Sequence, residues 1–195
     1  MSGPNAITRR RLLGVAAAGA STAALGVALK AKAAPATWLR PPGALAEDEF
    51  LERCIRCFRC GEVCPPRCIT FPSLLALAEA DTPYVVATDV ACTLCMRCGD
   101  ACPTGALVPI APRLSAIAAN VKMGRPVLDK DTCFAWNRKQ PCHLCFDVCP
   151  WQNQAVRLVT ERLAPEFVDD KCVGCGLCSE ACPVEEPSIR IERTT

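Results

Sequence analysis

Sixteen of the seventeen cysteines fall into four runs, each ending Cys-x2-Cys-x3-Cys. Thiolates in such number and spacing are ligands for soft metals. Three runs have the full form Cys-x2-Cys-x2-Cys-x3-Cys: Cys54, Cys57, Cys60 and Cys64; Cys92, Cys95, Cys98 and Cys102; Cys172, Cys175, Cys178 and Cys182. The third run in chain order opens wider, with Cys133 nine positions before Cys142, followed by Cys145 and Cys149. Proline follows every run (Pro65, Pro103, Pro150, Pro183) and suits the exit, since it fixes φ and adds no amide donor. Two residues between ligands let a short loop curl around one centre and present several sulfurs to it.

This spacing is the bacterial ferredoxin signature, in which each iron corner of a [4Fe–4S] cubane takes one thiolate. In two-cluster proteins of this type the last cysteine ligates the neighbouring cluster. Sixteen thiolates suffice for four [4Fe–4S] clusters, and the implied chemistry is electron transfer. Zinc fits less well, because structural zinc sites use separated cysteine pairs closing one tetrahedron. A disulfide framework has no reason to place Cys-Pro at the same point of every run.

The amino terminus indicates where such a carrier is placed. Thr8-Arg9-Arg10-Arg11-Leu12-Leu13 is a twin-arginine (Tat) signal before an uncharged apolar stretch, residues 12–29. Ala31-Lys32-Ala33 and Ala34-Pro35-Ala36 are small-x-small cleavage sites. The expected division is a signal peptide, 1–33, and a four-cluster domain, 34–195. An uncleaved anchor is the competing reading, but alanine, glycine, serine and threonine leave the stretch weakly apolar. Twin-arginine export carries folded cargo, so clusters inserted in the cytoplasm would cross intact to the periplasm. The full chain is +2; five basic residues lie in the signal, leaving 17 − 20 = −3 for the remainder. Nothing in this balance suggests nucleic-acid binding. Arg53, Arg56, Arg59 and Arg67 interleave with the first run, where they compensate cluster charge or form a docking patch.

The elements that must hold these loops are small. Residues 38–43 read as an extended linker and 44–53 as a short helix delivering Cys54, with Glu47, Asp48 and Glu49 in its early turns. Residues 73–80 read as a helix, 84–87 as a strand and 114–120 as a helix. Hairpin pairs are expected between 106–108 and 126–128, and between 155–159 and 166–168, with a last strand at 188–191. The fold class is α+β and ferredoxin-like: two bacterial-type two-[4Fe–4S] modules with short helical inserts. With few large aromatics, clusters must replace much of an ordinary core, and the metal-free chain should not fold. The runs can pair one with two and three with four, or two with three nested inside one and four. The hairpin joining Val108 to Val127 leans toward nesting. Either way nothing strand-like precedes Cys54.

The chain resembles the ferredoxin-type proteins of periplasmic nitrate reductase and methylamine-utilisation systems, the NapG/MauM family. The resemblance covers nearly the whole length. It rests on the Tat signal, Leu39-Arg40-Pro41-Pro42-Gly43-Ala44, Thr82-Pro83-Tyr84, Cys102-Pro103-Thr104-Gly105-Ala106 and the wide run beginning at Cys133. It implies four [4Fe–4S] clusters held by the sixteen cysteines, and electron delivery from the quinol pool through a membrane-bound ferredoxin or quinol dehydrogenase partner. The recipient would be a downstream redox protein, a periplasmic reductase or dehydrogenase system. Nitrate-system members often carry four residues between the second and third cysteines of run two. Here Cys95 and Cys98 are separated by two, so nitrate, methylamine and other respiratory systems stay open.

Cys68 is left over and reads as a buried inert thiol, with a reserve ligand as the other reading. His143, the sole histidine, offers a hydrogen bond to a cluster sulfur; Trp136 and Trp151 cover the same run from water. No phosphate loop, nucleophile–histidine pair or nicotinamide fold is present, so no catalytic site is expected. An electron-transfer subunit of a molybdenum oxidoreductase complex is the alternative function.

Overall fold

Four helices of one turn each carry the third cysteine of a run and stop just before the fourth. A computed structural model describes residues 38–159, 161 and 163–194; the signal segment lies outside them. In chain order the helices are α1 (Glu47–Arg53), α2 (Arg59–Glu62), α3 (Arg97–Asp100), α4 (Leu114–Asn120), α5 (Leu144–Asp147) and α6 (Leu177–Glu180). The strands are β1 (Ile69–Thr70), β2 (Tyr84–Val85), β3 (Arg125–Leu128), β4 (Val156–Val159), β5 (Ala164–Phe167) and β6 (Ile189–Glu192). Turns of 3₁₀ helix occupy Leu74–Glu79 and Asp169–Lys171. Among the described residues no helix is long and apolar enough to cross a membrane.

The strands form three antiparallel pairs: β1 with β2, β3 with β6, and β4 with β5. The expected hairpin between 155–159 and 166–168 is present as β4–β5, with Val156 opposite Phe167 and Val159 opposite Ala164. The hairpin expected between 106–108 and 126–128 is not. Pro126 stands opposite Ile191 and Leu128 opposite Ile189, so the last strand closes on β3. Leu107 pairs instead with Ala44. α4 matches its expected bounds, whereas the inserted helix at 73–80 is a 3₁₀ turn and the strand at 84–87 shortens to β2.

The strand partner that sequence could not find before Cys54 is the stretch read as a linker. Leu39 donates to the Val85 carbonyl at 3.1 Å and accepts from the Val85 amide at 2.7 Å. Val108 donates to Gly43 at 2.7 Å and Leu45 to Ala106 at 3.2 Å. These bonds occupy the backbone of 39–45, which is why helix α1 starts at Glu47 and not at 44. Leu39 of this strap is fully buried in one cluster with Phe50, Leu107 and Val85. Sulfur is a large share of the rest: Cys60, Cys64, Cys92, Cys98, Cys145, Cys175 and Cys178 share one buried cluster with Ile69, Met96, Ile117, Trp151 and Ile191. One-turn helices cannot stand alone in water, so this sulfur-lined interior is what holds them.

Candidate functional site

Each full run curls through the same unusual backbone. Arg56 and Phe58 in run one have φ of 57° and 61°; Leu94 and Met96 in run two have 58° and 60°; Gly174 and Gly176 in run four have 77° and 86°. These are equivalent positions, the residue before the second cysteine and the residue after it. Left-handed residues on either side of the second cysteine curl the loop, and such turns can direct N–H groups into a concavity that favours negative charge. Only run four supplies glycine there; runs one and two hold ordinary side chains at roughly 1–2 kcal/mol each. Run three departs, since His143 after Cys142 has φ −139°. The nine-residue opening delivers Cys133 from elsewhere, and the tight double turn is not required.

The sulfurs then gather across runs. Cys54, Cys57 and Cys60 line one cavity together with Cys102, walled by Phe50, Phe71 and Leu107. Cys92, Cys95 and Cys98 line a second with Cys64. Cys133, Cys142 and Cys145 line a third with Cys182. The fourth set is Cys172, Cys175 and Cys178 with Cys149, whose charge acts on all three. Each set thus takes three cysteines from one run and the last from its partner run. The partners are one with two and three with four, which overturns the nested arrangement. The reason is local: α2 packs on α3 and α5 on α6, so each helix end points its final cysteine at the neighbour's loop.

The donor sets fit a cubane. Among the described residues no three His, Cys, Asp or Glu side chains converge on a point suited to a single ion. The thiols stand around cavities instead, as four separate iron corners demand. Backbone N–H groups reach the sulfurs: Leu107 donates to Cys102 Sγ and Gly174 to Cys172 Sγ, both at 3.4 Å. Burial alone would raise the Cys102 thiol, but the Leu107, Thr104 and Ala106 amides and the Thr104 hydroxyl hold it below its ordinary value. Elsewhere burial wins. It pushes Cys60, Cys98, Cys145 and Cys175 up to about 12 and Cys178 well above its ordinary value, with neighbouring sulfurs adding repulsion. Thiolates so poorly solvated need positive charge between them, which bound iron would provide.

The sets follow one another in a row that is not sequence order. Cys98 of the second set feels Cys60 of the first. The Cys92 amide donates to the Cys175 carbonyl at 2.9 Å, joining second to fourth. Cys178 of the fourth feels Cys145 of the third. The order is first, second, fourth, third. Cys57 is exposed at one end, while the middle sets are largely buried.

Other residues singled out by sequence have definite places. His143 lies on the surface with its imidazole 3.5 Å from the Asp147 carboxylate. Trp151 is buried in the main core, and Trp136 packs beside Cys133 and Cys142 while donating to the Pro165 carbonyl at 2.9 Å. Arg53 pairs with Glu49 at 2.7 Å, and Arg56 donates to the Ala80 carbonyl at 3.0 Å.

Sequence reasoning missed the clasp on the strap. Arg40 grips Glu47 through two nitrogens, at 3.1 and 2.5 Å, and reaches Thr82 Oγ1 at 2.8 Å and the Pro83 carbonyl at 3.0 Å. Its guanidinium also stacks over Phe50, 4.7 Å from the ring centroid. Arg193 closes on the same Glu47 from the carboxyl end of the chain. Trp38 stacks on Tyr84 with centroids 4.4 Å apart. The signal for this was present: Leu39-Arg40-Pro41 and Thr82-Pro83-Tyr84 are two halves of one contact.

Two of three family matches follow this pairing of runs, and the third spans runs two and three. A 4Fe-4S dicluster domain family matches residues 53–106 and another matches 125–183. These matches coincide with the two pairs of runs that share cavities. A 4Fe-4S double cluster binding domain matches 91–152. The chain is similar to the ferredoxin-type protein NapG of Escherichia coli, 34% identical over 94% of this chain and 84% of the relative. It is similar to the methylamine utilization ferredoxin-type protein MauM of Methylorubrum extorquens, 36% identical over 98% of this chain and 91% of the relative. MauM of Methylobacillus flagellatus is 37% identical over 84% and 72%.

Proposed function

We propose that this chain, which belongs to the family of ferredoxin-type proteins NapG and MauM, carries electrons along four [4Fe–4S] clusters held by its sixteen run cysteines. The carrying observation is the exchange of final cysteines. Cys102 and Cys64 cross between runs one and two, and Cys182 and Cys149 cross between runs three and four, giving four sets of four. When bound, each cluster supplies a one-electron redox centre.

The chain's own part is positioning and insulation. Cross-ligation fixes the two members of each module side by side. The bond between the Cys92 amide and the Cys175 carbonyl couples the modules, so electrons would enter at one end set and leave at the other. Phe50, Phe71 and Leu107 wall the inner side of the first set and limit water there, while Cys57 faces solvent at the end where a partner can approach.

The working place of the carrier is the periplasm, reached by the Tat signal. Its donor is a quinol-linked membrane partner and its acceptor a periplasmic redox system. NapG and MauM belong by name to ferredoxin-type proteins, MauM to methylamine utilization, and both descriptions suit a carrier without a substrate of its own. Anaerobic iron and sulfide analysis should give about sixteen of each per chain. About four of each, or a preparation silent in paramagnetic resonance after dithionite, would refute the four-cluster assignment.

A further inference from the structure

The second cavity contains five cysteines where the others contain four. Besides Cys64, Cys92, Cys95 and Cys98, it is lined by Cys68. This side chain is only 4% exposed, and its Sγ lies 3.5 Å from Cys64 Sγ. Four residues after the last cysteine of the other runs stand Ala106, Asn153 and Glu186. The extra thiol is therefore peculiar to the second set, and it sits beside the one ligand there that comes from the partner run. Arg67, immediately before it, has φ 56°, and this left-handed turn brings the chain back toward the cavity after Pro65 and Pro66.

We infer that Cys68 is a stand-in ligand for the iron corner assigned to Cys64, so that the second set alone can lose its cross-run cysteine and still hold a complete cluster. The exchange is a substitution without change of oxidation state. Cys68 gives its proton to water, and its sulfur takes the coordination position that Cys64 leaves. With its Sγ 3.5 Å from the sulfur it replaces, the side chain reaches that position by a rotamer change together with a small shift of its loop, within the same fold. The inference rests on the cluster assignment proposed above.

The test uses full-length chain assembled anaerobically, comparing Cys64→Ala, Cys64→Ala/Cys68→Ala and Cys102→Ala, with Cys68→Ala as the fold control. Cys102 plays the same crossing role for the first set and has no fifth thiol nearby. Loss of a corner ligand leaves a three-iron cluster that is paramagnetic when oxidised, whereas the intact oxidised cubane is silent. Cys64→Ala should match the unmodified chain, silent as isolated. Cys102→Ala and the double variant should each show on the order of one spin per chain. An oxidised-state signal of equal size in Cys64→Ala and the double variant overturns the inference. If the alanine variants are insoluble, Cys64→Val and Cys64→Val/Cys68→Val fill the space without offering an iron ligand and carry the same comparison with the same two outcomes. Failure of the cluster assignment itself is separately visible, because the unmodified chain would then lack iron.

Discussion

Gly176 lies where the two modules meet, and an added methyl there has a calculable cost. Its φ is 86°, and a Cβ would stand 2.4 Å from Ala87 Cβ and 3.1 Å from the Ala87 Cα and carbonyl oxygen. Ala87 is buried and has no rotamer to yield, so backbone must move. Gly105 is the natural control: its φ is 69°, yet a Cβ there meets nothing within 4 Å. Both substitutions to alanine bear the left-handed penalty, about 1–2 kcal/mol. Gly176→Ala alone adds overpacking, about 1–3 kcal/mol. At about 2–4 °C per kcal/mol for a chain of this size, Gly176→Ala should melt about 2–12 °C below Gly105→Ala. The assay is the midpoint of thermal bleaching of the visible cluster absorbance, anaerobically and at one scan rate, because unfolding with cluster loss is irreversible. Ala87→Gly in the Gly176→Ala background removes the colliding methyl and should restore roughly 1 kcal/mol of the deficit as a coupling term. Equal midpoints for the two glycine variants, or no rescue, would refute the close approach of the run-four loop to the residues preceding Cys92.

Burial would raise the Glu47 carboxyl, but Arg40 and Arg193 outweigh it and hold it below its ordinary 4.5. Its contribution is therefore present above that value and is lost as pH falls through the lower native one. Glu47→Gln should flatten the acid limb of a stability-versus-pH curve while leaving the clusters' spectra intact. Arg40→Lys keeps the charge but loses the fork shared among Glu47, Thr82 and Pro83, costing about 2 kcal/mol and lowering the melting midpoint by about 4–8 °C. A chelator strong enough to strip iron should abolish the native circular dichroism, since the core is built around thiols that need metal between them. Arg9→Lys with Arg10→Lys should leave the protein in the cytoplasm on fractionation; normal export would disprove the Tat signal.

The cysteine spacing by itself pointed to 4Fe-4S binding, which the family matches support, because a loop with two residues between sulfurs has few other uses. Local elements were legible where they depend on neighbours in the chain: α4 keeps its expected bounds and the β4–β5 hairpin is present, its second strand starting two residues earlier than the pattern placed it. Partners distant in sequence were not. Val108 bonds Gly43, Ile191 faces Pro126, and Arg40 finds Thr82, because each pairing depends on how one-turn helices dock, which no local period records. The same limit applied to the cysteines. Spacing says that each run offers four sulfurs, but only packing of α2 on α3 and α5 on α6 decides which fourth sulfur closes which set, and only the Cys92–Cys175 contact makes the row run first, second, fourth, third.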